Sequence, residues 1–299
     1  MHKGQAGRVA IIAGSRGMSG AAVLCGLGAL RGGAGLVRVY CPESIQPIVA
    51  ASEPGLMTNG LPESASGVLS FKQSGVAVLT SPDWSNVAAI GPGLGIDAGL
   101  SDLVNAVFQA YAGPLLLDAD ALNAISRTAA WNAEWWRTRQ AGPSPADTPA
   151  EKPPVIVTPH PGEMAKLRQS LGLRAVALDN DDSLRLQAAF EFAQRTATIV
   201  VLKGHRTVVA DSTRAYVNVT GNAGMAAGGM GDVLTGLIAA LIGQGMSPFD
   251  ACCLAVHAHG RAGERLAQRI GPIGFLAREV ADELPAALAE SSRPRIGFL

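Results

Sequence analysis

The feature that most restricts the fold of this chain is the alternation of short apolar runs with longer helical patterns. Arg8–Ala13, Leu36–Tyr40, Val87–Ile90, Pro114–Leu117, Val155–Thr158 and Thr198–Leu202 are short, mostly apolar and rich in β-branched residues or leucine. The helical stretches Gly20–Arg31, Ala98–Ala110, Gly162–Leu171 and Ser183–Arg195 lie between them. A strand that is apolar throughout needs cover on both faces, and helical crossovers make neighbouring strands parallel. The pattern therefore predicts an α/β fold with a mainly parallel central sheet. Thr207–Ala210 and Ala215–Val219 follow each other closely and predict an antiparallel edge. Beyond residue 231 the chain reads as helical, through Asp232–Ile242, Pro248–Arg269 and Leu276–Glu290.

At 299 residues and 48% hydrophobic content the chain can bury one generous α/β domain or two small ones. No internal repeat is present. Residues 137–154 are rich in Pro, Ala and charge, and βαβ alternation resumes after them. They predict a mobile surface loop within a single domain spanning 1–299. Formal net charge is zero and charged residues make up 16%. That balance, with 5% aromatics, argues against a nucleic-acid or anionic-membrane partner, so any anion site must be local. Cys25, Cys41, Cys252 and Cys253 lack metal-ligand spacing and predict buried free thiols in a reducing cytoplasm. The first apolar run is too short for a signal peptide, and no segment approaches the roughly 20 apolar residues of a membrane span.

Most strands run straight into unusual chemistry. The first ends in GSRGMSGAA, Val87–Ile90 in GPGLG, and the next in DADALN; Val155–Thr158 ends in TPHPGE and Thr198–Leu202 in KGHRT. Ligands of open parallel sheets bind outside the carboxyl ends of the strands, so these segments are expected to line one edge. The segment NAGMAAGGMGD completes the wall. Five glycines, at 221, 224, 228, 229 and 231, lead into the apolar run that begins after Asp232. A glycine-rich turn feeding a helix N-terminus gathers unpaired N–H groups and favours phosphate or a developing oxyanion. Asp232 is placed there to take a proton from a hydroxyl attacking phosphorus.

Other residues carry two readings. Ser15 and Ser19 either hold ligand atoms or cap the following helix. Asp118 and Asp120 could bind metal, accept sugar hydroxyls or cap the helix carrying Asn123, with capping expected of at least one. His160, held between two prolines and followed by Glu163, points to ligand contact. Lys203, at the end of a buried strand, needs an anion, for which nucleotide phosphate is the natural candidate. His257 and His259 read as packing or interface residues, since i, i+2 spacing puts them on different helix faces. Trp131, Trp135 and Trp136 read as a packing cluster or an oligomer contact.

Taken in order, IGPGLG, LDADALN, VTPHPGEMAKL, LKGHRT and NAGMAAGGMGDVLTG resemble the ADP-dependent NAD(P)H-hydrate dehydratase family, of the ribokinase-like superfamily. The resemblance implies a three-layer α/β/α ribokinase-like fold. It also implies a repair reaction in which ADP, or ATP in eukaryotic relatives, phosphorylates the hydroxyl of hydrated NADH or NADPH and phosphate is then eliminated. By motif position, Asp232 is the implied base, with Gly228, Gly229 and Gly231 as the anion hole. Lys203, Gly204, His205, Arg206 and Thr207, with Gly231, are implied to contact the adenine nucleotide. Ala21, Gly93, Gly95 and His160, with Asp232, are implied to line the hydrated dinucleotide site. A divalent ion such as Mg²⁺ and a homo-oligomer, a tetramer by likeness, are implied as well. The length matches the dehydratase domain without the epimerase domain fused upstream in some relatives. Ala223 and Met230 stand where the family commonly has Pro and Thr, and the second change removes a hydroxyl from beside the phosphate. Two rivals stand beside it: a ribokinase-like kinase of a hydroxymethylpyrimidine or thiazole alcohol, which shares the anion hole and the base but needs less binding wall than TPHPGE and GPGLG offer, and a nucleotide sensor without catalysis, which needs no base.

Overall fold

The computed structural model describes residues 6–72, 84–128, 131, 133–138, 154–178 and 181–291. The strands among them are β1 (Arg8–Ile12), β2 (Leu36–Pro42), β3 (Met57–Leu61), β4 (Val87–Ile90), β5 (Leu115–Leu117), β6 (Val155–Val157), β7 (Ile199–Leu202), β8 (Val208–Ala210) and β9 (Ala215–Val217). They form one sheet in the order β3-β2-β1-β4-β5-β6-β7-β8-β9. Pairing is parallel from β3 through β7 and antiparallel for β7–β8 and β8–β9, as the alternation predicts.

Successive residues of each strand face opposite sides, and each side has its own core. Val9, Ile11, Val37, Val39, Ala89 and Val201 pack under α1 (Ser19–Arg31), α8 (Met230–Gly243), α9 (Pro248–Arg269) and α10 (Ala277–Ser291). Ala10, Ile12, Ala88, Ile90, Leu117 and Val200 pack under α3 (Leu100–Ala110), α4 (Ala119–Ser126), α6 (Pro161–Ser170) and α7 (Asp182–Thr196). This is the three-layer α/β/α arrangement. Two short helices, α2 (Gln46–Ser52) and α5 (Ala133–Arg137), complete the described set.

The apolar pattern misses β3 and α2. β3 is the edge strand, with Asn59 and Gly60 exposed, so the sequence Met-Thr-Asn-Gly-Leu needs no continuous apolar run. α2 buries only Val49. Of the loop expected at 137–154, residues 139–153 lie outside the described residues. Before it, Trp135 stacks between Trp131 and Phe108 and Trp136 meets Phe192 edge-on, so the tryptophans form a packing cluster.

Strand order reverses direction at β1, which has β2 on one side and β4 on the other. In a doubly wound sheet this is where a crevice opens beyond the strand ends. Beneath it, α1 and α8 touch backbone to backbone. A Cβ on Gly236 would stand 1.9 Å from the Cys25 carbonyl oxygen, and one on Gly28 would stand 2.2 Å from that of Val233. That contact sets the first turn of α8, which carries Asp232, against α1, which carries Ala21.

Candidate active site

The strand ends bring the unusual segments to one edge, and hydrogen bonds tie them together. The Gly14 N–H donates to the Pro92 carbonyl at 2.8 Å, and Ser15 Oγ donates to the Gly93 carbonyl at 2.8 Å. The buried Ser15 hydroxyl thus joins the first loop to the GPGLG loop and caps nothing. Gly95 N–H donates to Asp120 Oδ2 at 2.9 Å. Lys203 N–H donates to the Pro159 carbonyl at 2.8 Å.

α8 begins at Met230, two residues before the predicted Asp232, so Gly231 and Asp232 both lie in its first turn. Gly229 occupies the N-cap with φ +86°, a left-handed conformation that side chains disfavour. No side chain caps this end, so the first-turn N–H groups are left to face the site. At Gly228 a Cβ would meet nothing within 4 Å, so packing does not require glycine there. Burial and then the negative charge of Asp118 push the Asp232 carboxyl up to about 7, against the opposing pull of Lys203. A carboxylate tuned to that range takes and returns protons readily near neutral pH.

Asp118, at the end of β5 and 1% exposed, accepts from Lys203 Nζ through Oδ1 at 2.6 Å and from Thr235 Oγ1 through Oδ2 at 2.8 Å. This corrects one expectation. Neither Asp118 nor Asp120 caps α4, because each is taken by another donor, Lys203 and Thr235 for the first and Gly95 for the second. An ammonium outbids a neutral N–H for a buried carboxylate. Within the chain itself the anion that Lys203 meets is Asp118. Burial works against the Lys203 ammonium, but Asp118 and then Glu163 outweigh it and hold its pKa above the ordinary lysine value. Burial likewise raises Glu163 and Asp120 above the usual carboxylate range.

His160 forms the N-terminus of α6. Its Nδ1 accepts from Gly162 N–H at 3.0 Å and Glu163 N–H at 3.3 Å, while Glu163 Oε2 accepts from His160 N–H at 2.8 Å. The His-Pro-Gly-Glu segment is thus a capping box, and the ring, 57% exposed, keeps its outer face open to the edge.

A cleft of about 560 Å³ opens beside this network. Lys203, Gly204, His205, Arg206, Thr207 and Gly231 all line it, so the expected nucleotide residues share one cavity. Ala21, Gly93, Gly95 and His160 lie outside it. Ala21 and Gly93 are side by side, since a Cβ on Gly93 would stand 2.7 Å from that of Ala21. Asn218 and His259 line the cleft from outside the quoted motifs, and Asn222, which opens the NAGMAAGGMGD segment, lines it without an expected role. His259, expected to pack or face a partner, is buried in the cleft wall, and burial pushes its imidazole down to about 4. Its Nε2 and Asn222 Nδ2 are buried without hydrogen-bond partners among the described residues. Thr235 is also unsignalled, except as the lone hydroxyl in the apolar run of α8.

Among the described residues no three His, Cys, Asp or Glu side chains cluster as a metal cage. All four cysteines are free. No described helix is long and apolar enough to cross a membrane.

Residues 9–286 match the family model described as NAD(P)H-hydrate dehydratase. A bifunctional NAD(P)H-hydrate repair enzyme of Moorella thermoacetica is 39% identical over 96% of this chain and 50% of its own length. The chain spans about half the length of this and other bifunctional relatives. An ADP-dependent (S)-NAD(P)H-hydrate dehydratase of Xanthomonas campestris is 33% identical over 96% of this chain and 89% of its own. The crystal structure of the ADP/ATP-dependent NAD(P)H-hydrate dehydratase of Bacillus subtilis, co-crystallised with ATP/Mg²⁺, superposes with a TM-score of 0.75 at 30% identity. It covers 97% of this chain and 91% of that one. A hydroxyethylthiazole kinase of Pyrococcus horikoshii is 14% identical with a TM-score of 0.59 and shares the fold alone.

Proposed function

Because the chain belongs to the NAD(P)H-hydrate dehydratase family, we propose that it returns hydrated NADH and NADPH to their normal forms at the expense of an adenine nucleotide. ADP is the first candidate donor and ATP the second, in keeping with the names of the relatives. The observation that carries the reading is Asp232: a carboxyl with a pKa of about 7, in the first turn of an uncapped helix, beside the Lys203 ammonium.

The chemistry follows from that placement. Asp232 takes the proton of the ring hydroxyl as its oxygen attacks the terminal phosphorus, and the bond from phosphorus to the bridging oxygen breaks. ADP then leaves as AMP, or ATP as ADP. The N–H groups of Gly231 and its neighbours, with Lys203, oppose the charge that builds on the phosphoryl oxygens. A Mg²⁺ ion on the nucleotide phosphates supplies further neutralisation. The new phosphate ester is a far better leaving group than hydroxide. The ring-nitrogen lone pair expels it with the C–O electron pair, and loss of a proton from the neighbouring ring carbon restores the dihydropyridine.

The nucleotide is assigned to the cleft along Lys203–Thr207. The hydrated dinucleotide is assigned to the edge formed by Ala21, Gly93, Gly95 and His160. Both sites are built on one sheet, consistent with a single domain. A cytoplasmic location fits the free cysteines, and a homo-oligomer, a tetramer, fits the exposed Val219, Ile273 and Leu276, which sedimentation would test. The deciding assay mixes the protein with hydrated NADH, Mg²⁺ and ADP or ATP and follows reduced-nicotinamide absorbance and free phosphate. Recovery with stoichiometric phosphate supports the dehydratase; a stable phosphate ester without recovery sinks it.

A further inference from the structure

Asp118, Glu163 and Asp232 all act on one ammonium, that of Lys203. Lys203 Nζ stands 3.3 Å from where a Cβ on Gly231 would sit, so it reaches the first turn of α8 directly before Asp232. It nevertheless bonds Asp118, at 2.6 Å. The other oxygen of the same carboxylate binds Thr235, fully buried and one turn further along α8 than Asp232. One buried side chain on β5 therefore holds both the lysine that opens the nucleotide loop and the helix that carries the base.

We infer that Asp118 is a positioning residue: by holding Lys203 and Thr235 at once, it keeps the ammonium from pairing with Asp232 and locks the base's helix to the nucleotide loop. The inference rests on the reading of Asp232 as the base. The groups facing Asp232 are Asp118 from β5, Asp120 from α4, Lys203 from β7 and the Cys25 thiol from α1. Burial keeps that thiol protonated, so it brings no charge. With Lys203 committed to Asp118, Asp232 is the under-compensated carboxylate and holds its proton near neutrality. Asp118→Asn removes the negative neighbour and frees the ammonium to turn to Asp232. Both changes favour the ionised form and make it a weaker base.

The test is Asp118→Asn read in two ways. Carbon NMR of the aspartate carboxyls in nucleotide-free protein follows Asp232, assigned by its loss in Asp232→Asn. Its midpoint is expected to fall by about one unit or more. The acid limb of kcat/KM should move with it, and the plateau should drop about tenfold or more. Thr235→Val removes only the neutral tie and should lower the plateau with the midpoint unmoved. A lower plateau with an unmoved Asp232 midpoint in Asp118→Asn overturns the inference and leaves Asp118 a structural residue. The carboxyl titration needs no turnover. Failure of the dehydratase assay in wild type therefore strikes the proposed function, and failure of the shift strikes this inference. If Asp118→Asn does not fold, Asp118→Asn/Lys203→Met removes both members of the buried ion pair together. The influence of Asp118 on Asp232 exceeds that of Lys203, so the double variant should still show a smaller fall, and no fall overturns the inference.

Discussion

The proposed chemistry rests on one residue, Asp232, as the proposed base. Asp232→Asn keeps the shape and removes the base, so turnover should fall about 10²–10⁴-fold with nucleotide affinity retained, read by steady-state kinetics and calorimetry. Since the active form is ionised, wild-type kcat/KM should decline about tenfold per pH unit below about 7. The same shift has a stability sign. A carboxyl raised from 3.8 to about 7 binds its proton more tightly folded than unfolded, so it costs stability increasingly as pH rises through that window. Asp232→Asn should therefore melt higher than wild type at pH 8, by a margin that vanishes near pH 4; an equal margin at both would sink the linkage. Asp232 was legible because glycine-rich turn, carboxylate and helix are adjacent in sequence. The work of Asp118 was not, because its partners Lys203 and Thr235 lie 85 and 117 residues away. The capping role of His160 was harder to read: the spacing of His160 and Glu163 fits a capping box, but histidine is an unusual residue in that position.

At the scale of elements, the site depends on how two helices and one strand end are held. Gly236→Ala would drive a methyl group into the Cys25 carbonyl and force α8 away from α1. We expect a loss of about 1–3 kcal/mol in denaturant unfolding and a fall in kcat as Asp232 shifts. On the other side, α7 braces the start of the Lys203–Thr207 loop, the proposed nucleotide loop, through Arg185, which is 2% exposed. Its Nη2 donates to the carbonyls of Leu202 and Lys203, both at 3.2 Å. Arg185→Met should raise the nucleotide KM more than it lowers kcat, because it frees the loop and leaves the base in place. Equal effects on both would point to general loss of structure. Long apolar helices and buried strands were readable from their periods. The edge strand β3 and the short α2 were not, since little of either is buried and burial is what writes the pattern.

Across the whole molecule, one mostly parallel sheet between two cores presents its carboxyl edge as a rigid rim. A nucleotide bound there should stabilise the entire fold, by about 2.7 kcal/mol at a hundredfold excess over its Kd. Asp232→Asn should keep that thermal shift and lose turnover, while a variant that loses both would place Asp232 in nucleotide binding. Strand direction, the two faces of the sheet and the segments along its edge were determined by the sequence itself. Alternation with period 2 and helical crossovers are local properties, and in parallel strands they leave one place for the loops. Only the tertiary structure decided that Asp118 takes Lys203, that Ala21 meets Gly93, and that Asn222 and His259 share the cleft with Lys203–Thr207. Burial and charge act over a few ångströms between residues far apart in the chain, and no spacing along the sequence records those distances.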